Sequence, residues 1–227
     1  MFLAFAGMTQ RIDRLAPFAL VAVFTVALQT LSLTEFLPLP LPLLIGVGWA
    51  AVISFAAYRV SRRPVLSAWL EDTLVALGCV TMALFAFGGA VGLLLLNTAM
   101  DSSSITAESM VVMFLPSIPI AIAANVPTEL VIIPALLILG WRPGTRRILL
   151  VVAAALYFVH RVWSYLTFVS DRLDFAAAEQ STTRMTAAEK QQFSEALHLD
   201  DPRWILNLLI FAVFLLAAFF SRLRENE

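Results

Sequence analysis

The chain has one cysteine, Cys79, one lysine, Lys190, and two histidines, His160 and His198. A lone thiol excludes an internal disulfide and any CxxC metal or redox site. Two histidines are too few for a His-rich iron or copper cluster. A haem held between helices wants His ligands within them, and only His160 is so placed. No metal site and no cofactor is therefore expected. Charge is scarce as well: 14% of residues are Asp, Glu, Lys or Arg, against roughly a quarter in soluble domains. A net charge of −1 gives no electrostatic footprint for nucleic acid. Walker A, HExxH, GxSxG and strand-borne GxGxxG motifs are all missing, so no catalytic signature is present.

What is abundant is apolar. Hydrophobic residues make up 60% of the 227, and mean hydropathy is +0.87. A soluble domain of this length has too little interior for them, so the sequence predicts a polytopic membrane protein. A helical span takes about 20 apolar residues to cross a core ~30 Å thick. Six runs qualify: 15–36, 38–58, 73–100, 110–141, 148–169 and 204–220. None alternates apolar with polar as barrel strands do, and closed backbone hydrogen bonding in lipid then leaves helices. The expected fold is all-α, one domain over 1–227, a six-helix transmembrane bundle whose fourth helix is broken by prolines.

The arginines orient this bundle. Arg11 and Arg14, then Arg59, Arg62 and Arg63, then Arg142, Arg146 and Arg147, then Arg222 and Arg224 fall in alternate connections. The turn at 34–37 and the stretch 101–109 hold no basic residue. By the positive-inside rule both termini are cytoplasmic. The loop 170–203 is then external, with Arg172, Arg184, Lys190 and Arg203 against Asp171, Asp174, Glu179, Glu189, Glu195, Asp200 and Asp201. Arginine in place of lysine, with abundant alanine, fits a bacterial inner-membrane protein. Met8, opening MTQRIDRL, is an alternative start to Met1, and the first run is too long for a signal h-region and reads as a retained span.

Local signals refine the picture. In LPLPLPLL, prolines at 38, 40 and 42 predict an extended entry that turns helical near Leu43. Gly88 and Gly92 have GxxxG spacing, which suits close packing within the chain. Thr186 and Glu189 match a capping box and predict a helix from Ala187 to about Leu197, with Phe193 and Leu197 turned toward the membrane surface. The first three runs do not resemble the last three, so no internal repeat is evident.

One residue stands apart. Between Met110 and Trp141 the only ionisable side chain is Glu129. The segment also holds Pro116, Pro119, Pro127 and Pro134, and Asn125 before Pro127 reads as an internal N-cap opening a new half-helix. At 1.5 Å per residue, Glu129 lies about 18 Å from the Trp141 boundary, Arg161 about 21 Å from Arg147, and Gln29 about 22 Å from Arg14. A charge at such depth costs about 2.5–3.5 kcal/mol on the insertion scale unless paired or hydrated. Glu129 and Arg161 are therefore predicted to meet inside the bundle. Asn125 shares a helical face with Glu129, Tyr157 and Tyr165 share one with Arg161, and Ser164 shares one with His160. The candidate site is Glu129, Arg161, His160, Asn125, Tyr157, Tyr165 and Gln29, forming an outward-opening polar pocket.

A buried carboxylate can carry a proton, bind a cation or act as acid or base, and a buried ion pair can also simply fix helix register. Three functions fit: binding or transport of a small molecule or ion, an intramembrane enzyme on a lipid, isoprenoid or quinone, and an accessory subunit of a membrane complex. The partners implied are the lipid bilayer, a small apolar or charged ligand, and, for the third, another membrane protein. Size and the lack of catalytic motifs favour the first.

Overall fold

The computed structural model describes residues 2–177, 181–221 and 223. Met1, Glu179, Arg222 and Arg224 lie outside the described residues. The helices are α1 (Phe2–Leu33), α2 (Pro40–Ser61), α3 (Pro64–Met100), α4 (Ala107–Phe114), α5 (Ser117–Pro127), α6 (Ile133–Leu139), α7 (Thr145–Thr167), α8 (Val169–Ala177), α9 (Ala187–Leu197) and α10 (Arg203–Ala218), with a π-turn over Thr128–Ile132 joining α5 to α6.

Five segments are long and apolar enough to cross a membrane: Asp13–Leu33, α2, α3, Ala107–Leu139 and α7. The sixth, α10, is a shorter apolar helix of 16 residues, about 24 Å at the α-helical rise. Large apolar side chains cover the outside of the bundle, such as Val80, Phe87, Leu94 and Leu95 on α3 and Val47 and Phe55 on α2. A surface this apolar is at home in lipid and not in water. The chain is an all-α, polytopic membrane protein.

The Ala107–Leu139 segment is the centre of the bundle, with 67% of its most apolar window buried. Every residue of α6 is buried, among α1, α2, α3 and α7. Around it, α1 pairs with α2, while α10 lies between α3 and α7. The approach of α3 to α10 depends on Gly78: a Cβ there would lie 2.7 Å from the buried Phe214 ring.

A second, smaller core sits at the opposite end from the arginine-rich turns. Leu96, Met110, Phe114, Phe175 and Leu197 enclose it, with Phe193 packed against them. Phe193 and Leu197 thus face inward onto α4 and α8, not the membrane surface, because α8 offers Phe175 as a packing partner (ring centroids 5.1 Å from Phe193). The capping box on α9 is present, with the Thr186 amide donating to Glu189 Oε2 at 2.6 Å and the Glu189 amide to Thr186 Oγ1 at 3.3 Å. Lys190 on the same helix reaches back to cap α3, donating to the carbonyls of Met100 (2.5 Å) and Ser102 (2.7 Å). The Met100 carbonyl is one that a helix C-terminus otherwise leaves unsatisfied.

Several local expectations are corrected. LPLPLPLL does not enter extended: α2 starts at Pro40, with Pro42 also in its first turn. The first-turn N–H groups of a helix have no intrahelical partner, so proline loses nothing there. Helix α3 starts at Pro64, nine residues before the expected span at Thr73, and brings Glu71 and Asp72 into a helix. Of the GxxxG pair, Gly88 faces Ile120 of α5, while Gly92 has open space around it. Asn125 is no N-cap and lies inside α5. The helix instead runs on through the π-turn, where the Ile133 amide donates to the Thr128 carbonyl five residues back. Pro127 and Pro134 lack the amides for the normal ladder, and a π-turn absorbs the misfit without a full break. The sharper interruption is earlier, at Leu115–Pro116 between α4 and α5.

Candidate functional site

Proline sets up the site. Pro134 cannot donate to the Leu130 carbonyl four residues back. That carbonyl instead accepts the Trp49 indole N–H of α2 at 2.8 Å. Thr128, at the head of the π-turn, donates to the Ala124 carbonyl at 2.7 Å and lies 2.9 Å from Thr81 Oγ1 on α3. With neighbouring helices holding both ends of the turn, Glu129 is aimed at α7.

There it meets Arg161. The guanidinium Nε pairs directly with Glu129 Oε1, and the Arg161 guanidinium also lies 4.4 Å over the Tyr165 ring. Tyr165 donates to Glu129 Oε2 at 3.2 Å. Tyr157 donates to Asn125 Oδ1 at 2.9 Å and stands 3.3 Å from Glu129 Oε1. Two of the chain's three tyrosines therefore surround the one carboxylate between Met110 and Trp141. Glu129 is 5% exposed and Arg161 8%. The pair thus satisfies itself away from lipid, as a charge at this depth requires.

The cluster is buried. Two clefts, of about 450 and 270 Å³, lie near the arginine-rich end, and neither reaches Glu129. His160 is buried one residue from Arg161, its ring edge-on to Phe85 (5.6 Å, 89°), with Nδ1 lacking a hydrogen-bond partner. Ser164 bonds to the His160 backbone carbonyl, not its ring. Gln29 is half-buried on α1 and packs toward Gly46 of α2. Among the described residues no hydrogen bond ties it to Glu129. Equal height did not bring it in, because its side of α1 faces α2.

Two further ion-pair clusters flank the site, and sequence reasoning missed both. Toward the 170–203 loop, Arg203 at the start of α10 donates to Asp201 (Nε–Oδ1 2.8 Å) and to Ser164 of α7 (2.7 Å). Arg203 also lies 3.5 Å over the Phe168 ring, and Arg172 donates to Asp201 Oδ2 at 3.2 Å. Burial pushes the Asp201 carboxyl up, but the bonds and charge of Arg203, backed by Arg172, outweigh it and hold the group below its ordinary 3.8. A carboxyl depressed on folding stabilises above its unfolded pKa and loses that contribution as pH falls through the folded value. This end of the bundle is therefore expected to stay ordered down to about pH 4 and to loosen only in stronger acid. Hydrogen exchange of α8 and α9 against pH measures it, and loosening already near pH 6 would contradict it.

At the arginine-rich end, Arg146 of α7 binds Glu71 (Nε–Oε1 3.1 Å) and Asp72 (Nη1–Oδ1 2.5 Å) of α3 and donates to the Phe220 carbonyl at 2.8 Å. Glu71 is 1% exposed. Gly140 makes the room: a Cβ there would lie 2.4 Å from Leu150 and 3.6 Å from Glu71 Oε1. The signal was available in Pro64. Read as the first residue of a helix, it places Glu71 two turns in, where a buried cation is needed.

No protein-family model, curated protein or solved structure matches the chain. The reading of function rests on this geometry.

Proposed function

We propose that the chain is a small carrier or binding protein of the bacterial inner membrane, with both termini cytoplasmic and the 170–203 loop external, whose ligand is a small molecule or ion engaging the Glu129–Arg161 pair. One observation carries this reading: the carboxylate sits on a π-turn in a proline-interrupted central helix, held by a guanidinium and two tyrosine hydroxyls from one neighbour. Interrupted membrane helices commonly build binding sites near the midplane, and π-turns concentrate at functional positions. Each member of the pair is the other's substitute ligand. An entering anion takes Arg161 from Glu129, and an entering cation or proton takes Glu129 from Arg161. The Arg203–Asp201 and Arg146–Glu71–Asp72 clusters flank the pair on either side along α7.

Proteoliposomes tested for uptake of a panel of inorganic ions and small carboxylic and amino acids provide the check. At least one solute is expected to move, and Glu129→Gln is expected to lower that rate by about a hundredfold, as loss of a buried charged contact does, while the protein still elutes as a folded species. If wild type moves none of the panel, or the variant moves solute at the wild-type rate, the proposal is wrong.

A further inference from the structure

The two clefts at the arginine-rich end share part of their walls. One, about 450 Å³, lies between α1 and α2 and is lined by Arg14, Phe18, Phe55 and Tyr58. The other, about 270 Å³, is lined by Ser67, Trp141 and Arg142 among others. Phe18 and Tyr58 belong to both, their rings edge-to-face at 6.0 Å. The clefts have an apolar floor and a cationic rim. Arg62 bonds to the Tyr58 hydroxyl and lies 4.6 Å over that ring, and Arg59 lies 5.0 Å over Phe55. Among the described residues, Arg14, Arg59, Arg62, Arg63 and Arg142 have no ion pair, and the nearby Asp13 is taken by Arg147 at 3.5 Å. In the second cleft the Ser67 hydroxyl is 1% exposed and without a hydrogen-bond partner.

We infer that this double cleft is a binding site for one anionic phospholipid, its phosphate held by Arg14 and Arg142 with Ser67 as a neutral donor, and its acyl chain laid along Phe18 and Phe55. Three features favour a lipid over a soluble anion. The cleft opens on the apolar outside of α1 and α2. It lies where α2 ends and arginines begin, the level of the headgroups. Its floor is aromatic, which a free phosphate does not need. Basic pockets between membrane helices bind such headgroups through charge and hydrogen bonds together.

The test is native mass spectrometry of the purified chain after incubation with micelles containing equal phosphatidylglycerol and phosphatidylcholine. One phosphatidylglycerol is expected to be retained in preference to phosphatidylcholine. The Arg14→Gln/Arg142→Gln double variant is expected to lose roughly thirtyfold in that retention. Both side chains are exposed, and Arg146 and Arg147 remain to orient the chain, so melting temperature is expected to stay at the wild-type value. Adding millimolar inorganic phosphate is expected to change nothing. Equal retention of the two lipids, unchanged retention in the variant, or displacement by phosphate each overturns the inference.

Discussion

Arg161→Gln is expected to destabilise the protein by about 3–5 kcal/mol. The substitution removes the guanidinium and leaves the Glu129 carboxylate buried against Tyr157 and Tyr165 with no countercharge. Glu129→Gln is expected to cost about as much, for the mirror reason. The informative variant is the double one. With both charges gone, two amides remain that hydrogen-bond to the tyrosines and to Asn125. The double variant is therefore expected to be more stable than either single one, which requires a coupling larger than the cost of one single substitution, about 3–5 kcal/mol. Unfolding in mixed micelles, followed by tryptophan fluorescence, measures the cycle. Strict additivity would mean that the two side chains do not act on one another, and the closed cluster would have to be abandoned.

Arg146→Gln is expected to be comparably damaging, about 3–5 kcal/mol, and Arg147→Gln nearly silent, about 0–1 kcal/mol. The two arginines are adjacent in sequence and equivalent under any charge-counting rule. Arg146 is 8% exposed and holds Glu71, Asp72 and the Phe220 carbonyl, which ties α7 to α3 and to the end of α10. Arg147 makes one 3.5 Å contact to an exposed Asp13 and stacks 5.2 Å over Trp141. Loss of Arg146 removes a countercharge from the buried Glu71 carboxylate and the contacts to Asp72 and the Phe220 carbonyl with it. The same unfolding measurement compares them, and equal effects would show that Arg146 acts only by setting orientation.

Depth reasoning located the principal pair because it uses one dimension only. A helix rises by a fixed amount per residue, so Glu129 and Arg161 fall at one height from counting alone. Azimuth is a different matter. Counting put Gln29 at that height too, yet its flank of α1 faces α2. The same limit hid the outer cluster, since Ser164, Arg172 and Arg203 come from three helices whose rotation no count gives. Proline was read too simply in both directions. In LPLPLPLL its density predicts an extended entry, yet its position in the first turn of α2 makes it harmless. At Pro127 the spacing predicts the start of a new helix, where a π-turn carries the helix on.

Composition and the apolar runs, by themselves, determined that this chain is helical and lives in lipid, because side chains this apolar belong there and, without the alternation of barrel strands, only helices satisfy the polar backbone in lipid. They also singled out Glu129 as a charge that must find a partner. Only the tertiary structure decided which faces meet: that the pair is sealed by two tyrosines, that Arg146 is buried while Arg147 is not, and that the loop helix packs inward. Those outcomes depend on how each rod is turned about its axis, and that rotation is set by packing among all the helices at once.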